Sequence, residues 1–315
     1  MLASVPITVW HWAAFILVIL LFLAFDLGFF HRSTRAETSR KALFWSTIWF
    51  FLTVLFACGL RVWRGPEDSL EFLTAYFVEF SLSMDNVAAM ALIFAFFAVP
   101  ARYQQRLLFQ GVMGALVLRG MMIGLGVTLI HAFQWTLYLM GAFLIFTGVK
   151  WGFSKQTTVR PESNPVLHLA RKILPVSGDY DGDKFLTWVD GRRAWTPLAL
   201  VLLMVETADL IFAVDSIPAV LAVTQKPFIV FTSNIFAILG LRSLYFALAG
   251  AIRYFRFLKA GLAGVLIFVG LKMLVSRWVN VPTGLSLAIV AAMMALSMGF
   301  SIWFSCRVGR KEREH

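Results

Sequence analysis

Apolar runs of about twenty residues recur along this chain, separated by short polar gaps, and nothing else in the sequence limits its fold as much. A helix of that length spans the hydrocarbon core of a bilayer and satisfies its own backbone hydrogen bonds there. The runs are continuous rather than alternating, which excludes a β-barrel. Of the 315 residues, 60% are hydrophobic and 14% charged, where a soluble domain carries about 25% charged residues. The sequence predicts an all-α polytopic membrane protein. Nine spans are expected, at 9–30, 42–60, 70–98, 107–130, 134–153, 197–222, 228–252, 259–276 and 283–306.

The formal net charge is +11. Its distribution argues against nucleic acid as a partner, because the basic residues crowd into alternate gaps. Twenty-one Lys and Arg flank one set of span ends, and only Arg61, Arg64, Lys226 and Arg277 flank the other. Cytoplasmic gaps hold the excess in a helical membrane protein. The N-terminus is therefore expected outside and the C-terminus in the cytoplasm, with the bacterial inner membrane as the location. The first run has no basic residue before it and no small-residue cleavage site after it, so it reads as a span rather than a signal peptide. Cys58 and Cys306 are isolated, which gives neither a disulfide framework nor a thiolate metal site.

The chain divides into two N-terminal spans (1–69), a three-span unit (70–153), a cytoplasmic loop (154–196), a second three-span unit (197–276), and a last span with a basic tail (277–315). In the loop, P-V-L-H-L-A-R-K-I-L from Pro165 has the spacing of an interfacial amphipathic helix with a basic face. F-L-T-W-V-D-G-R-R-A-W-T reads as a hairpin turning at Asp190-Gly191. D-Y-D-G-D, from Asp179 to Asp183, lacks the remaining ligands of a calcium loop and reads as a solvated turn.

The two units are copies of each other. Shifted by 130 residues, Glu79 falls on Asp209, Asp85 on Asp215 and Asn86 on Ser216. Shifted by 123, Arg119 falls on Arg242; shifted by 122, Lys150 falls on Lys272. A unit of three spans is odd, so its second copy crosses in the opposite sense. Inverted repeats of this kind characterise secondary transporters, whose sites lie at the midplane between the copies.

Glu79, Asp85, Glu206, Asp209 and Asp215 lie deep in apolar runs, with Arg119 and Arg242 to offset part of their charge. An isolated charge there costs at least about 2.5–3.5 kcal/mol on insertion scales. These carboxylates must be paired, protonated, hydrated or bound to a cation. Pairing with two arginines accounts for two of the five. Asn86 and Ser216 adjoin them, with Ser81, Ser83, Thr207 and Asn234 nearby, so the ligand chemistry is all oxygen and suits a hard divalent cation. Pro218 has no N–H to give the carbonyl of Val214. That carbonyl is either a further donor beside Asp215 or part of an ordinary kink. Glu79 and Asn86 share one helix face, as do Asp209 and Ser216, whereas Asp85 and Asp215 lie about 120° from their earlier carboxylates. Without unwinding, one compact site cannot take them all.

V-E-F-S-L-S-M-D-N-V, F-A-V-D-S-I-P-A-V and F-T-S-N-I-F-A-I-L-G-L-R resemble the TerC family of integral membrane proteins, most closely its Alx branch. The resemblance implies export of manganese, with no permanent cofactor, and links some relatives to metal supply for exported proteins. It carries the acidic motif onto Glu79, Asp85, Asn86, Glu206, Asp209, Asp215 and Ser216. Many members have Lys after the first Glu; here that residue is Phe80.

The expectation is a transporter, not an enzyme, that exports manganese(II) by alternating access, with exchange against protons as a coupling that fits buried carboxylates. Asp85 and Asp215 are the expected central ligands, assisted by Asn86, Ser216 and the Val214 carbonyl. Glu79, Asp209 and Glu206 serve as second-site ligands or proton carriers. Arg119 and Arg242 set carboxylate charge and repel the cation when the site is empty. The alternatives are an exchanger of another hard cation such as calcium, and a scaffold that hands metal to exported proteins through the cytoplasmic loop. An intramembrane aspartyl protease is disfavoured, because neither S-M-D-N nor A-V-D-S matches the G-x-G-D of those enzymes.

Overall fold

The computed structural model describes residues 7–30, 39–153, 165–189, 191–248, 258–276, 278–279 and 281–311. They form helices α1 (Val9–Phe30), α2 (Ser39–Trp63), α3 (Pro66–Phe96), α4 (Ala101–Ala132), α5 (Thr136–Phe153), α6 (Pro165–Ile173), α7 (Pro197–Leu221), α8 (Pro227–Leu248), α9 (Leu258–Val275) and α10 (Thr283–Lys311), with strands β1 (Leu186–Val189) and β2 (Arg192–Trp195) between α6 and α7. Each expected span has its helix. Among the described residues, seven helices are long and apolar enough to cross a membrane, and α1 and α9 contribute shorter apolar segments, Val9–Leu23 and Ala260–Val275.

Local sequence sets the helix starts. Gly65 turns the chain from α2 into α3 at φ 102°, a conformation glycine adopts without a Cβ clash. Pro66 then opens α3, followed by Glu67 and Asp68 in its first turn. A first-turn proline surrenders no helical hydrogen bond, and first-turn acids complement the helix dipole. Pro197 opens α7 likewise, but Pro218 lies inside it and α7 stays helical through to Leu221.

The central helices cross-pack between the two expected units. α3 lies against α8 and α4 against α7, while α3 meets α7, α4 meets α8 and α5 meets α9. α4 and α7 run in the same sense, with Gly111 beside Val205 and Gly126 beside Leu221. α5 and α9 run in opposite senses along a seam of small residues. A methyl group on Gly148 would sit 2.8 Å from the Ala263 carbonyl oxygen, and one on Gly270 would sit 2.7 Å from the Gly141 carbonyl oxygen. Small residues let helix backbones approach this closely where lipid offers no hydrophobic drive. α10 packs on α3 and α9, and α2 on α3 and α8. α1 is held by ring contacts of Trp12 and Phe15 with Phe228 and Phe231 of α8.

The segment before α7 is ordered onto the bundle. α6 buries Leu167 and Ala170 toward α7 and leaves Leu169 and Ile173 exposed. The strands pair antiparallel with Val189 opposite Arg192, and Gly191 has φ 74°, as a tight hairpin turn requires; Asp190 lies outside the described residues. The Tyr180 hydroxyl donates to the Phe97 carbonyl at 2.8 Å, and Arg106 pairs with Asp183. Asp181 accepts hydrogen bonds from Thr187 (2.7 Å) and Lys184 (3.2 Å), which hold its carboxyl below the usual carboxylate range. The D-Y-D-G-D stretch is thus a hydrogen-bonded turn fastened to the α3–α4 corner.

Candidate functional site

Arg119 of α4 stands at the centre of the bundle, 1% exposed. Its guanidinium grips Asp209 of α7 with two hydrogen bonds, Nε to Oδ2 at 3.2 Å and Nη2 to Oδ1 at 3.0 Å. Nη1 donates to Glu79 Oε1 of α3, to Asn234 Oδ1 of α8 at 3.1 Å and to Ser216 Oγ of α7 at 3.5 Å. One arginine therefore ties together four helices and both expected units. A guanidinium suits this role because it stays charged when buried and its planar fork matches a carboxylate. Removing one partner of a buried ion pair typically costs about 3–5 kcal/mol.

Arg119 does not satisfy its whole surroundings. Among the described residues, Glu79 Oε2, Ser83 Oγ, Asn86 Oδ1 and Asn234 Nδ2 are buried with no hydrogen-bond partner. Glu79, Ser83 and Asn86 are four and then three residues apart, so their oxygens line one face of α3 over two turns. A buried acceptor left unpaired is costly, about 1–3 kcal/mol. Carboxylate, hydroxyl and amide oxygens of this kind are the donors a hard cation prefers. Glu79 and Asp209 carry two formal negative charges against the single positive charge of Arg119, so the cluster keeps an excess of acid.

The remaining expected site residues lie off this hub. Glu206 precedes Asp209 by about one turn of α7 and lays its carboxylate against Gly114 of α4. Its Oε2 is buried without a partner among the described residues. Asp215 is half-buried and accepts a hydrogen bond from Thr147 of α5 at 3.5 Å; Lys150, one turn further along α5, acts on it electrostatically. Asp85 is half-buried on a neighbouring face of α3. Val214 turns its side chain outward, 44% exposed, and α7 is not broken beside it. The side chain of Arg242 lies outside the described residues. Among the described residues, no three His, Cys, Asp or Glu side chains converge into a ready metal cage. Unbroken helices keep Asp85 and Asp215 away from Glu79 and Asp209, as helix phase requires. Ser81 and Thr207 bond back to the carbonyls of Phe77 and Leu203 within their own helices and do not serve the cluster.

A second ionic network escaped the sequence reading. Asp68 and Glu71, both buried near the start of α3, accept hydrogen bonds from Lys226 Nζ at 2.6 and 3.1 Å. Arg64 pairs with Asp68, and Thr224 Oγ1 donates to Glu71 Oε2 at 2.6 Å. Burial alone would depress Lys226, but its hydrogen bonds to Asp68 and Glu71 outweigh that and raise it above the ordinary lysine value of 10.5. This network ties the α2–α3 corner to the α7–α8 turn at the end poor in basic residues. The available signal was the lone Lys226 in its gap and the closely spaced acids of P-E-D-S-L-E.

Residues 64–313 match the sequence pattern of the family described as "Integral membrane protein TerC family". The chain is 46% identical over 291 residues to an uncharacterised membrane protein of Myxococcus xanthus, covering 92% of this chain and 91% of that protein. It is 42% identical over 301 residues to a protein of Photorhabdus laumondii named "Putative membrane-bound redox modulator Alx", covering 93% and 94% of the two chains. The protein of the same name in Escherichia coli K12 is 42% identical over 308 residues, covering 94% and 95%. No solved structure matches the chain.

Proposed function

The chain belongs to the TerC family of integral membrane proteins, and from that premise we propose that it is a secondary transporter exporting divalent manganese from the bacterial cytoplasm across the inner membrane. The observation that carries this reading is the central buried cluster, where Glu79 meets Asp209, Ser216 and Asn234 around Arg119 and, among the described residues, oxygens of α3 are left unpaired. Carboxylate, amide and hydroxyl oxygens suit a hard cation such as manganese.

The packing supports an inverted pair of three-helix units, α3–α5 and α7–α9. The main contacts between the units have counterparts under their exchange: α3 with α8 answers α7 with α4, and Gly148 on Ala263 answers Gly270 on Gly141. In this reading the cation is held at the seam by Glu79 and Asp209 with Asn86, Ser216 and Asn234. Asp85 and Asp215, half-buried, pass it to and from the seam. Glu206 carries a proton or a second ligand, and protons are exchanged for the metal. Rocking of one unit against the other exposes the seam to each side in turn.

Purified protein in liposomes tests this. Manganese(II) transport is expected, falling at least about tenfold in Asp209→Asn and in the Asp85→Ala, Asp215→Ala double variant. Unchanged transport in both would remove the site. Calcium carried in preference to manganese would redirect the reading to another hard cation.

A second role, as a scaffold delivering metal to exported proteins, is favoured by the hairpin, which presents Leu186 and Trp188 outward with Arg193 over the Trp188 ring. Deletion of residues 165–196 is then expected to lose a co-purifying membrane partner.

A further inference from the structure

We infer that Arg119 is a built-in stand-in for the transported cation: its guanidinium fills the cation's seat while the site is empty, and the cation enters by displacing it. This rests on the transport reading above. The acceptors of Arg119 are the atoms a hard cation would choose, namely Glu79 Oε1, both oxygens of Asp209, Asn234 Oδ1 and Ser216 Oγ. Those side chains come from both units, so the seat lies on the seam between them. A guanidinium and a divalent ion cannot share it, because like charges a few ångströms apart repel strongly in so dry a place.

The fit of Arg119 is incomplete in an informative way. A purely structural arginine would be expected to leave its carboxylates satisfied. Here, among the described residues, Glu79 Oε2 has no partner, nor do Ser83 Oγ and Asn86 Oδ1 further along the same face. Arg119 also supplies one positive charge where Glu79 and Asp209 supply two negative ones. A divalent ion matches that pair in charge and can use the idle oxygens. Arginine cannot neutralise itself by losing a proton as a buried lysine does. The seam therefore always holds a cation, its own or the cargo, and the empty carrier can reorient without bare buried carboxylates.

The test is equilibrium binding of manganese(II) to the purified full-length protein in detergent, read from the electron spin resonance of the free ion. Wild type, Arg119→Ala and Arg119→Lys are compared with and without millimolar guanidinium chloride. Arg119→Ala is expected to bind manganese about tenfold or more tightly than wild type, within the usual range of coupling between linked sites. Guanidinium should weaken binding to Arg119→Ala and leave wild type unchanged. Without metal, Arg119→Ala should melt below wild type, and either manganese or guanidinium should raise its midpoint. Equal or weaker binding in the variant, with wild type binding normally, overturns the inference and leaves the transport reading intact. No manganese binding by any form sinks both. If Arg119→Ala is not recovered folded, Arg119→Lys decides: a compact ammonium loses the two-pronged grip on Asp209, so it should bind manganese more tightly than wild type, and equal or weaker binding overturns the inference.

Discussion

Glu206 lays its carboxylate where a side chain on residue 114 would stand: a methyl group there would meet the carboxylate oxygens at 2.0 and 2.3 Å. Gly114→Ala pushes only the flexible end of Glu206 aside and is expected to cost less than about 1 kcal/mol, whereas Gly124→Ala, with nothing within 4 Å among the described residues, should be neutral. Thermal unfolding in detergent distinguishes them, and Glu206→Ala should relieve the Gly114→Ala defect. The polar residues of the cluster were legible in the sequence, because charge inside an apolar run stands out. Their pairing was not. The two arginines could account for two of the five carboxylates, but the sequence did not say which; Glu79 and Asp209 share Arg119, a choice made by helix packing. Phe80 stacks on Tyr76, and Arg119 provides the counter-charge to Glu79. Asp68 and Glu71 stayed hidden because acids near a span end look like solvated ones.

Among the elements, α5 and α9 meet most closely, and their seam is reciprocal. Gly148→Leu and Gly270→Leu are expected to destabilise by similar amounts, on the order of 1–3 kcal/mol each, since each glycine faces a backbone carbonyl of the other helix. Unequal effects on the unfolding midpoint would show that the two halves of the seam are not equivalent. Hydropathy located the helices but clipped their ends. α3 starts at Pro66 and α4 at Ala101, earlier than their apolar runs, because a helix continues past the hydrocarbon where ion pairs such as Arg64–Asp68 and Arg106–Asp183 sustain it. The Lys226 link at one such end makes a pH prediction. Its raised value means the folded state favours the ammonium, so the stabilisation is complete below about 10.5 and fades as pH rises through the higher folded value. Lys226→Met should lower the midpoint by on the order of a few degrees at neutral pH, with the gap to wild type closing only in strong alkali.

For the whole molecule, the distribution of basic residues and the alternation of the helices place Gly65 and Lys226 at one end of the bundle and Gly182 at the other. After replacement of Cys58 and Cys306 by serine, an impermeant thiol reagent added to intact cells is expected to label Lys226→Cys and spare Gly182→Cys. The opposite pattern would invert the proposed direction of export. The reach of Arg119 along the chain has a bearing on how the protein is made. Glu79 lies 40 residues before it, Asp209 90 residues after and Asn234 115 after. During synthesis α3 and α4 enter the bilayer with Glu79 and Arg119 already able to neutralise each other. The acid of α7 follows roughly 5–20 seconds later at ordinary rates of translation. Glu79 thus escorts Arg119 into the membrane, and the site is completed when Asp209 arrives to take its share of a charge already installed.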